Sequence, residues 1–218
     1  MAKLAGSLER YPARVSLYWY TAALAVGTAL LCLPASSAQP DAPIRFMDAW
    51  FTAASALCVT GLTVRSTGND FTFFGQIVIL SLIQVGGIGI MTITTLVMSQ
   101  IVGTGLRHRA VVSETLGATG PINLRWILAS VVVVTLGCEL LGAAILFARF
   151  IADMPMWDAL WYAVFHSISA FCNAGFQLRD DGMIQFQGDV VVNLAICLLI
   201  VLGGLGFPVL IDANRAMR

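Results

Sequence analysis

Ser55-Ala-Leu-Cys-Val-Thr-Gly61-Leu and Ser169-Ala-Phe-Cys-Asn-Ala-Gly175-Phe stand 114 residues apart, with serine, alanine, cysteine and glycine coinciding. What these segments offer is hydroxyls and peptide groups on a stretch where glycine frees the backbone. The first follows a short apolar run, Ala49 to Leu57, and turns abruptly into Arg65-Ser-Thr-Gly-Asn-Asp70. Nine residues make about 14 Å of helix, too little to cross a hydrocarbon core of roughly 30 Å. A short helix ending in a hydroxyl-and-glycine strand, between two full-length apolar spans, reads as a re-entrant pore loop. Such backbone survives at membrane depth only where protein or a water-filled cavity surrounds it. The sequence therefore predicts a membrane pore built from two tandem copies of one unit.

Other chemistries find less support. Cys32, Cys58, Cys138, Cys172 and Cys197 all sit inside apolar stretches, without C-x-x-C or paired-ligand spacing, and read as small buried hydrophobes. A metal site from Cys58, Cys172 and His166 is the minor reading. A hydrolase using Ser167 or Ser169 with His166 lacks G-x-S-x-G, and neighbours on a helix point about 100° apart. A neutral-solute channel would want paired N-P-A loops, but Asn173-Ala-Gly lacks the proline and Val59-Thr-Gly the asparagine. Glu139, inside an apolar span, is costly at membrane depth and by default a functional candidate. The competing and favoured account is structural: a carboxyl protonated or hydrogen-bonded behind the pore.

The elements that must hold these loops follow from composition. Of 218 residues, 58% are hydrophobic and 11% charged, well below the ~25% charged of soluble domains, so the chain reads as an integral membrane protein, and its helix-length spans make the expected class all-α. Formal net charge is zero and gives no hint of nucleic acid. Residues 1–14 form a basic N-terminus, and the apolar run from Val15 to Leu33 is long enough to span. Ser36-Ser-Ala38 also fits a signal-peptide cleavage site. Run length and the interfacial belt Tyr18, Trp19 and Tyr20 favour a retained helix.

Repeat 1 occupies residues 15–106 (span, pore loop 48–64, span) and a polar connector 107–125 follows. Repeat 2 occupies 126–212 (span, pore loop 157–178, span Val190 to Ile211), with residues 213–218 as a tail. Ala159 to Leu178 is uncharged and could pass for a span, so topology decides. If it dips and returns, eight basic residues lie on the cytoplasmic side, both termini included, against Arg45, Arg65, Arg149 and Arg179 outside. If it crossed, the bias would vanish at six against six. His166 is then a packed pore-helix residue. The outer side carries eight aspartates against four arginines, an acidic mouth that concentrates cations.

A second motif also repeats. Gly86-Gly87-Ile-Gly89 and Gly203-Gly204-Leu-Gly206 lie 25 and 28 residues after Gly61 and Gly175. On helices lining the lower pore, such glycines permit bending and close backbone approach; in any membrane bundle, small residues also simply let helices pack.

At Cys58-Val-Thr-Gly-Leu-Thr-Val64, Gly75-Gln-Ile-Val-Ile-Leu80, Gln84-Val-Gly-Gly-Ile-Gly89 and His166-Ser-Ile-Ser-Ala-Phe-Cys-Asn-Ala-Gly-Phe176 the chain resembles the Trk/Ktr/HKT potassium-transporter superfamily, TrkH/KtrB type. The resemblance runs from about Tyr11 to the last residue. It implies helix–pore loop–helix repeats like potassium-channel subunits, four of them around one pore. It implies filter glycines at Gly61 and Gly175, with Val59, Thr60, Gly61, Leu62, Asn173, Ala174, Gly175 and Phe176 presenting carbonyls to the ion. Glycine rather than serine at 61 resembles the potassium-selective members. Carbonyl dipoles replace the ion's water shell without a fixed charge that would trap it.

Family members carry four repeats, and two loops cannot close a four-sided filter. The expectation is a truncated or split product, or a second chain supplying the missing repeats. A non-conducting accessory half is the alternative. Further expectations are no enzymatic activity, no cofactor (potassium being the substrate), a lipid environment in the bacterial inner membrane, and a cytosolic nucleotide-binding regulatory subunit.

Overall fold

The computed structural model describes residues 12–39, 43–102 and 124–205. Gly206, Pro208, most of the 107–125 connector and the tail lie outside the described residues. Among the described residues six α-helices follow in order: α1 Pro12–Leu31, α2 Phe46–Leu57, α3 Phe73–Val102, α4 Leu124–Phe150, α5 Met156–Phe171 and α6 Val190–Leu205. Among the described residues there is no strand, only an isolated antiparallel bridge between Ser37 and Phe71.

Helix length separates two kinds of element. α3 and α4 hold 30 and 27 residues, about 45 and 40 Å. Both contain windows long and apolar enough to cross a membrane, Phe73–Ile90 and Ala129–Phe150. α1 and α6 contribute shorter apolar stretches, Leu17–Leu31 and Val190–Leu205. α2, of 12 residues, and α5, of 16, reach only about 18 and 24 Å. Proline precedes both: Pro43 stands two residues before the extended N-cap Arg45, and Pro155 is itself the N-cap of α5. Asp48 and Asp158 occupy their first turns, where the helix dipole favours negative charge.

The chain leaves and returns at one level in both units. After α1, Ala38 N–H donates to Asp70 O (2.9 Å), and Thr72 N–H donates to Ser36 O (3.0 Å) at the entry to α3. In the second unit, Arg149 at the end of α4 pairs with Asp189 just before α6. The Phe150 ring lies 4.9 Å from that of Phe186. Each short helix, with the non-helical segment after it, is thus an excursion whose two ends meet.

One core fuses the units. Leu31, Ala53, Leu57, Phe71, Ile79 and Ile83 are buried in the same cluster as Phe165, Ala174 and Phe176 of the second unit. A second cluster joins Leu146 and Phe150 to Ala159, Ala163, Val192 and Ala195. The exterior is apolar as well: Val133, Leu136, Leu140 and Leu141 on α4, with Leu194, Leu198 and Val201 on α6, are all exposed. Helices apolar on both the packed and the open face belong to a lipid-embedded bundle.

Candidate functional site

The two glycine-bearing segments adopt the same backbone. Val59 and Asn173 have φ of 57° and 59°, and Gly61 and Gly175 both have φ of 73°. The bonds behind each turn correspond one for one. Thr60 N–H donates to Ser55 O (2.9 Å) and Ala174 N–H to Ser169 O (2.7 Å). Val59 N–H reaches Ala56 O and Asn173 N–H reaches Ala170 O. A left-handed residue either side of an ordinary one reverses the chain and leaves successive peptide groups free of helix bonding. Asparagine tolerates that conformation; Val59, β-branched, does not adopt it without strain.

The loops meet. A Cβ added at Gly61 would fall 2.5 Å from Ala174 O and 3.2 Å from Gly175 Cα, and one at Gly175 would fall 3.5 Å from Gly61 Cα. Gly61 therefore faces its counterpart rather than the exterior. Around them Thr60, Leu62, Asn173 and Gly175 are exposed, while Ala174 and Phe176 are buried. Ser169 Oγ donates to Phe176 O at 2.8 Å, directing that carbonyl back toward α5. Ser55 Oγ instead accepts from the Thr60 hydroxyl at 2.9 Å. These two serines anchor the loops. Their signal was visible as the one hydroxyl residue shared by both motifs six residues before the glycine.

The second glycine motif supports the ends of the short helices. A Cβ at Gly86 would overlap Leu57 O, and one at Gly203 would overlap Phe171 O, the last residue of α2 and α5 respectively. Gly87 lies against Cys172 Sγ and Gly89 against the Tyr20 hydroxyl, and a Cβ added at Gly204 would fall 4.0 Å from Asn173 Nδ2. Both motifs thus let α3 and α6 approach the helix ends directly below the turns.

Glu139 is 4% exposed and sits behind the second loop. Its Oε2 accepts from Gln84 Nε2 (2.9 Å), its Oε1 from the Cys172 thiol (3.7 Å), and its backbone oxygen from Ser167 Oγ (2.7 Å). Sequence reasoning found the carboxylate but not these partners, since α3, α4 and the Cys172 turn are distant in the chain. His166 is buried, its Nδ1 bonded to Tyr162 O at 2.8 Å. Ser167 and Ser169 both donate to carbonyls, so neither is paired with that imidazole.

Beyond the glycines opens a hollow of about 610 Å³ lined by Gly61, Gly175, Asp70, Asp180, Arg65 and Arg179. Its two arginines are held by carboxylates, Arg65 by Asp48 (2.9 Å) and Arg179 by Asp181 (2.9 Å). The Arg179 guanidinium holds the Asp181 carboxyl below its ordinary range. Asp180 accepts from Asn69 Nδ2, and Asp70 from Ser66 N–H and Gln39 Nε2, all neutral donors. The hollow is left with unneutralised negative charge, which favours cations.

A helical bundle with apolar outer faces thus delivers two short helices and their paired glycine turns to one point, beside a hollow lined by charged side chains. The chain belongs to the TrkH family of cation transport proteins, whose model matches residues 18–217. It is 39% identical over 209 residues to Ktr system potassium uptake protein B of Bacillus subtilis, covering 95% of this chain and 46% of that protein. It is 38% identical over 206 residues to the Vibrio alginolyticus protein of the same name, covering 94% and 45%. To the potassium/sodium uptake protein NtpJ of Enterococcus hirae it is 37% identical over 188 residues, covering 84% and 41%. The chain spans about half the length of the curated relatives it matches.

Proposed function

We propose that the protein carries potassium across the cell membrane through a carbonyl-lined filter to which this chain contributes two of four loops. The observation that carries the reading is the pair of matched left-handed turns, Val59–Gly61 and Asn173–Gly175, with the two glycines face to face. Peptide oxygens converging there replace a cation's hydration shell without a trapping charge. Val59, Thr60, Gly61 and Leu62, with Asn173, Ala174 and Gly175, supply them; Phe176, its carbonyl engaged by Ser169, is the weakest of the eight. Uptake then needs no chemical step. An inside-negative potential supplies about 2.3 kcal/mol per charge per 100 mV.

In this reading α1, α3, α4 and α6 are the four spans, α2 and α5 the re-entrant pore helices, and the acidic hollow the outer entrance. Both termini are then cytoplasmic, where a nucleotide-binding regulatory subunit would find the basic connector. Packing between the units supports an incomplete ring. Ile79 and Ile83 on α3 are fully buried in one cluster with Phe165 of the neighbouring α5. Their counterparts on α6, 117 residues on, are Ile196 and Ile200, which line an open cavity of about 200 Å³ beside His166 and Asn173. The counterpart of Phe165 on α2 is Phe51, which is 36% exposed, with Met47 one turn earlier at 68%. One face and its complement thus lie open at opposite ends of a two-unit arc. A head-to-tail contact of this kind closes into a ring when further units follow.

The test is uptake of potassium and sodium by cells lacking their own potassium systems, expressing the complete coding frame as parent, Gly61→Ser or Gly175→Ser. A fall in potassium preference is expected in both variants. Unchanged selectivity in both would remove these loops from the filter. Residues 1–218 expressed alone are expected not to rescue, since two loops do not close the ring; added uptake when they are expressed beside a four-repeat relative, over that relative alone, would favour an accessory role.

A further inference from the structure

We propose that Glu139 is a positioning residue for the second filter loop, setting ion selectivity through Cys172. The inference rests on the filter reading above. Its carboxyl links three elements at one point: Gln84 of α3 in the first unit, its own helix α4, and Cys172 at the turn immediately before Asn173. Ser167 of α5 binds the Glu139 backbone oxygen, so the same residue also holds the last turns of the pore helix. No basic side chain pairs with the carboxyl among the described residues. Two hydrogen bonds and burial are what keep it there.

The first unit shows that folding this architecture does not require the carboxyl. Gly27 of α1 faces Leu82, and Gly142 of α4 faces Leu199, its equivalent 117 residues on. That register, 115 residues between α1 and α4, sets Leu24 opposite Glu139. An apolar residue therefore serves the same helix position where the loop is Cys58-Val59-Thr60, and Cys58 is exposed instead of clamped. Thr60 offers that loop a hydroxyl brace to Ser55, which Ala174 cannot supply to its own. The second loop replaces this brace from behind, by way of the Cys172–Glu139–Gln84 chain. A carboxyl retained at membrane depth despite its desolvation needs such a return, and a chain of buried bonds onto one filter turn provides it.

The experiment compares Glu139→Leu, Glu139→Gln, Cys172→Ala and Gln84→Leu in the complete protein. Membrane-inserted amount, the potassium-to-sodium uptake ratio and the KM for potassium are measured for each. Glu139→Leu and Cys172→Ala are expected to lower the ratio at least fivefold at parental protein level. Glu139→Gln, which keeps a polar head of the same length between Gln84 and Cys172, is expected to retain more than half of it. Parental ratio in Glu139→Leu overturns the proposal. Should that variant fail to accumulate, Cys172→Ala and Gln84→Leu decide it, since each cuts one link only; parental ratios in both overturn it. Gly175→Ser is run alongside. If it shifts selectivity while the Glu139 series does not, only the positioning role fails; if it too is silent, the second loop's place in the filter fails.

Discussion

The two facing glycines are alike in backbone and unlike in surroundings, so the same substitution should not do the same damage. At φ of 73°, alanine at either site enters the left-handed region, at about 1–2 kcal/mol. There the equivalence ends. The new methyl at Gly175 would meet its nearest atom, Gly61 Cα, at 3.5 Å, an ordinary contact. At Gly61 it would stand 2.5 Å from Ala174 O, so that oxygen or the Gly61 backbone must shift by about half an ångström to restore even a tight contact. Overpacking of this order adds about 1–3 kcal/mol. The displaced atom is also one of the carbonyls assigned to the ion. Gly61→Ala is therefore expected to lower potassium-over-sodium preference roughly tenfold more than Gly175→Ala, a factor equivalent to ~1.4 kcal/mol. The assay is paired rubidium and sodium uptake at matched protein level, with detergent melting of each variant as a stability control. Equal losses, or a larger loss at Gly175, would refute the argument that the two loops touch asymmetrically through Ala174.

Gly86→Ala and Gly203→Ala should each reduce stability by about 1–3 kcal/mol, because the methyl overlaps the Leu57 or Phe171 carbonyl. Gly137→Ala, inside α4 with nothing within 4 Å, should keep stability or raise it by up to about 1 kcal/mol, because alanine is the better helix former; thermal melting of the three variants in one detergent checks this. Asp189 gives a pH signature. Its Oδ1 accepts from Val192 and Val191 N–H at the start of α6, and Arg149 binds its Oδ2. These contacts, the Val192 bond foremost, hold its pKa below the ordinary 3.8. A depressed carboxylate contributes stability that is complete above its unfolded value and is lost as pH falls through the folded one. Asp189→Asn should therefore melt earlier than the parent at pH 6, and the gap should begin to narrow as pH falls below about 3.8 and shrink further through the lower folded pKa. A gap that stays the same size as the pH is lowered from 6 to the acid limit of the folded protein would show that the cap does not act through its charge.

Much of the architecture could be read from residue order because it is local. Twelve- and sixteen-residue helices preceded by proline and acidic in their first turn are decided within their own segments. The left-handed glycines are likewise a backbone property that glycine advertises. Glu139 could be flagged but not explained, since Gln84 is 55 residues away and Cys172 is 33. The glycines at 86 and 203 were legible as small residues on spans. That each serves a carbonyl at the end of a short helix was not, because nothing in a helix's own periodicity names the element it will meet.

Sequence alone determined what repeats and what each segment becomes: a hydrophobic chain, a doubled motif, short helices between long ones, membership of one transporter family. Only the tertiary structure decided which surfaces meet. It brought Gly61 against Gly175, braced one loop by a hydroxyl and the other by a buried carboxyl, and buried Ile79 while leaving Ile200 open. The physical reason is that backbone conformation is set by neighbours a few residues away. The approach of two loops 114 residues apart is set instead by how the intervening helices shed surface against one another.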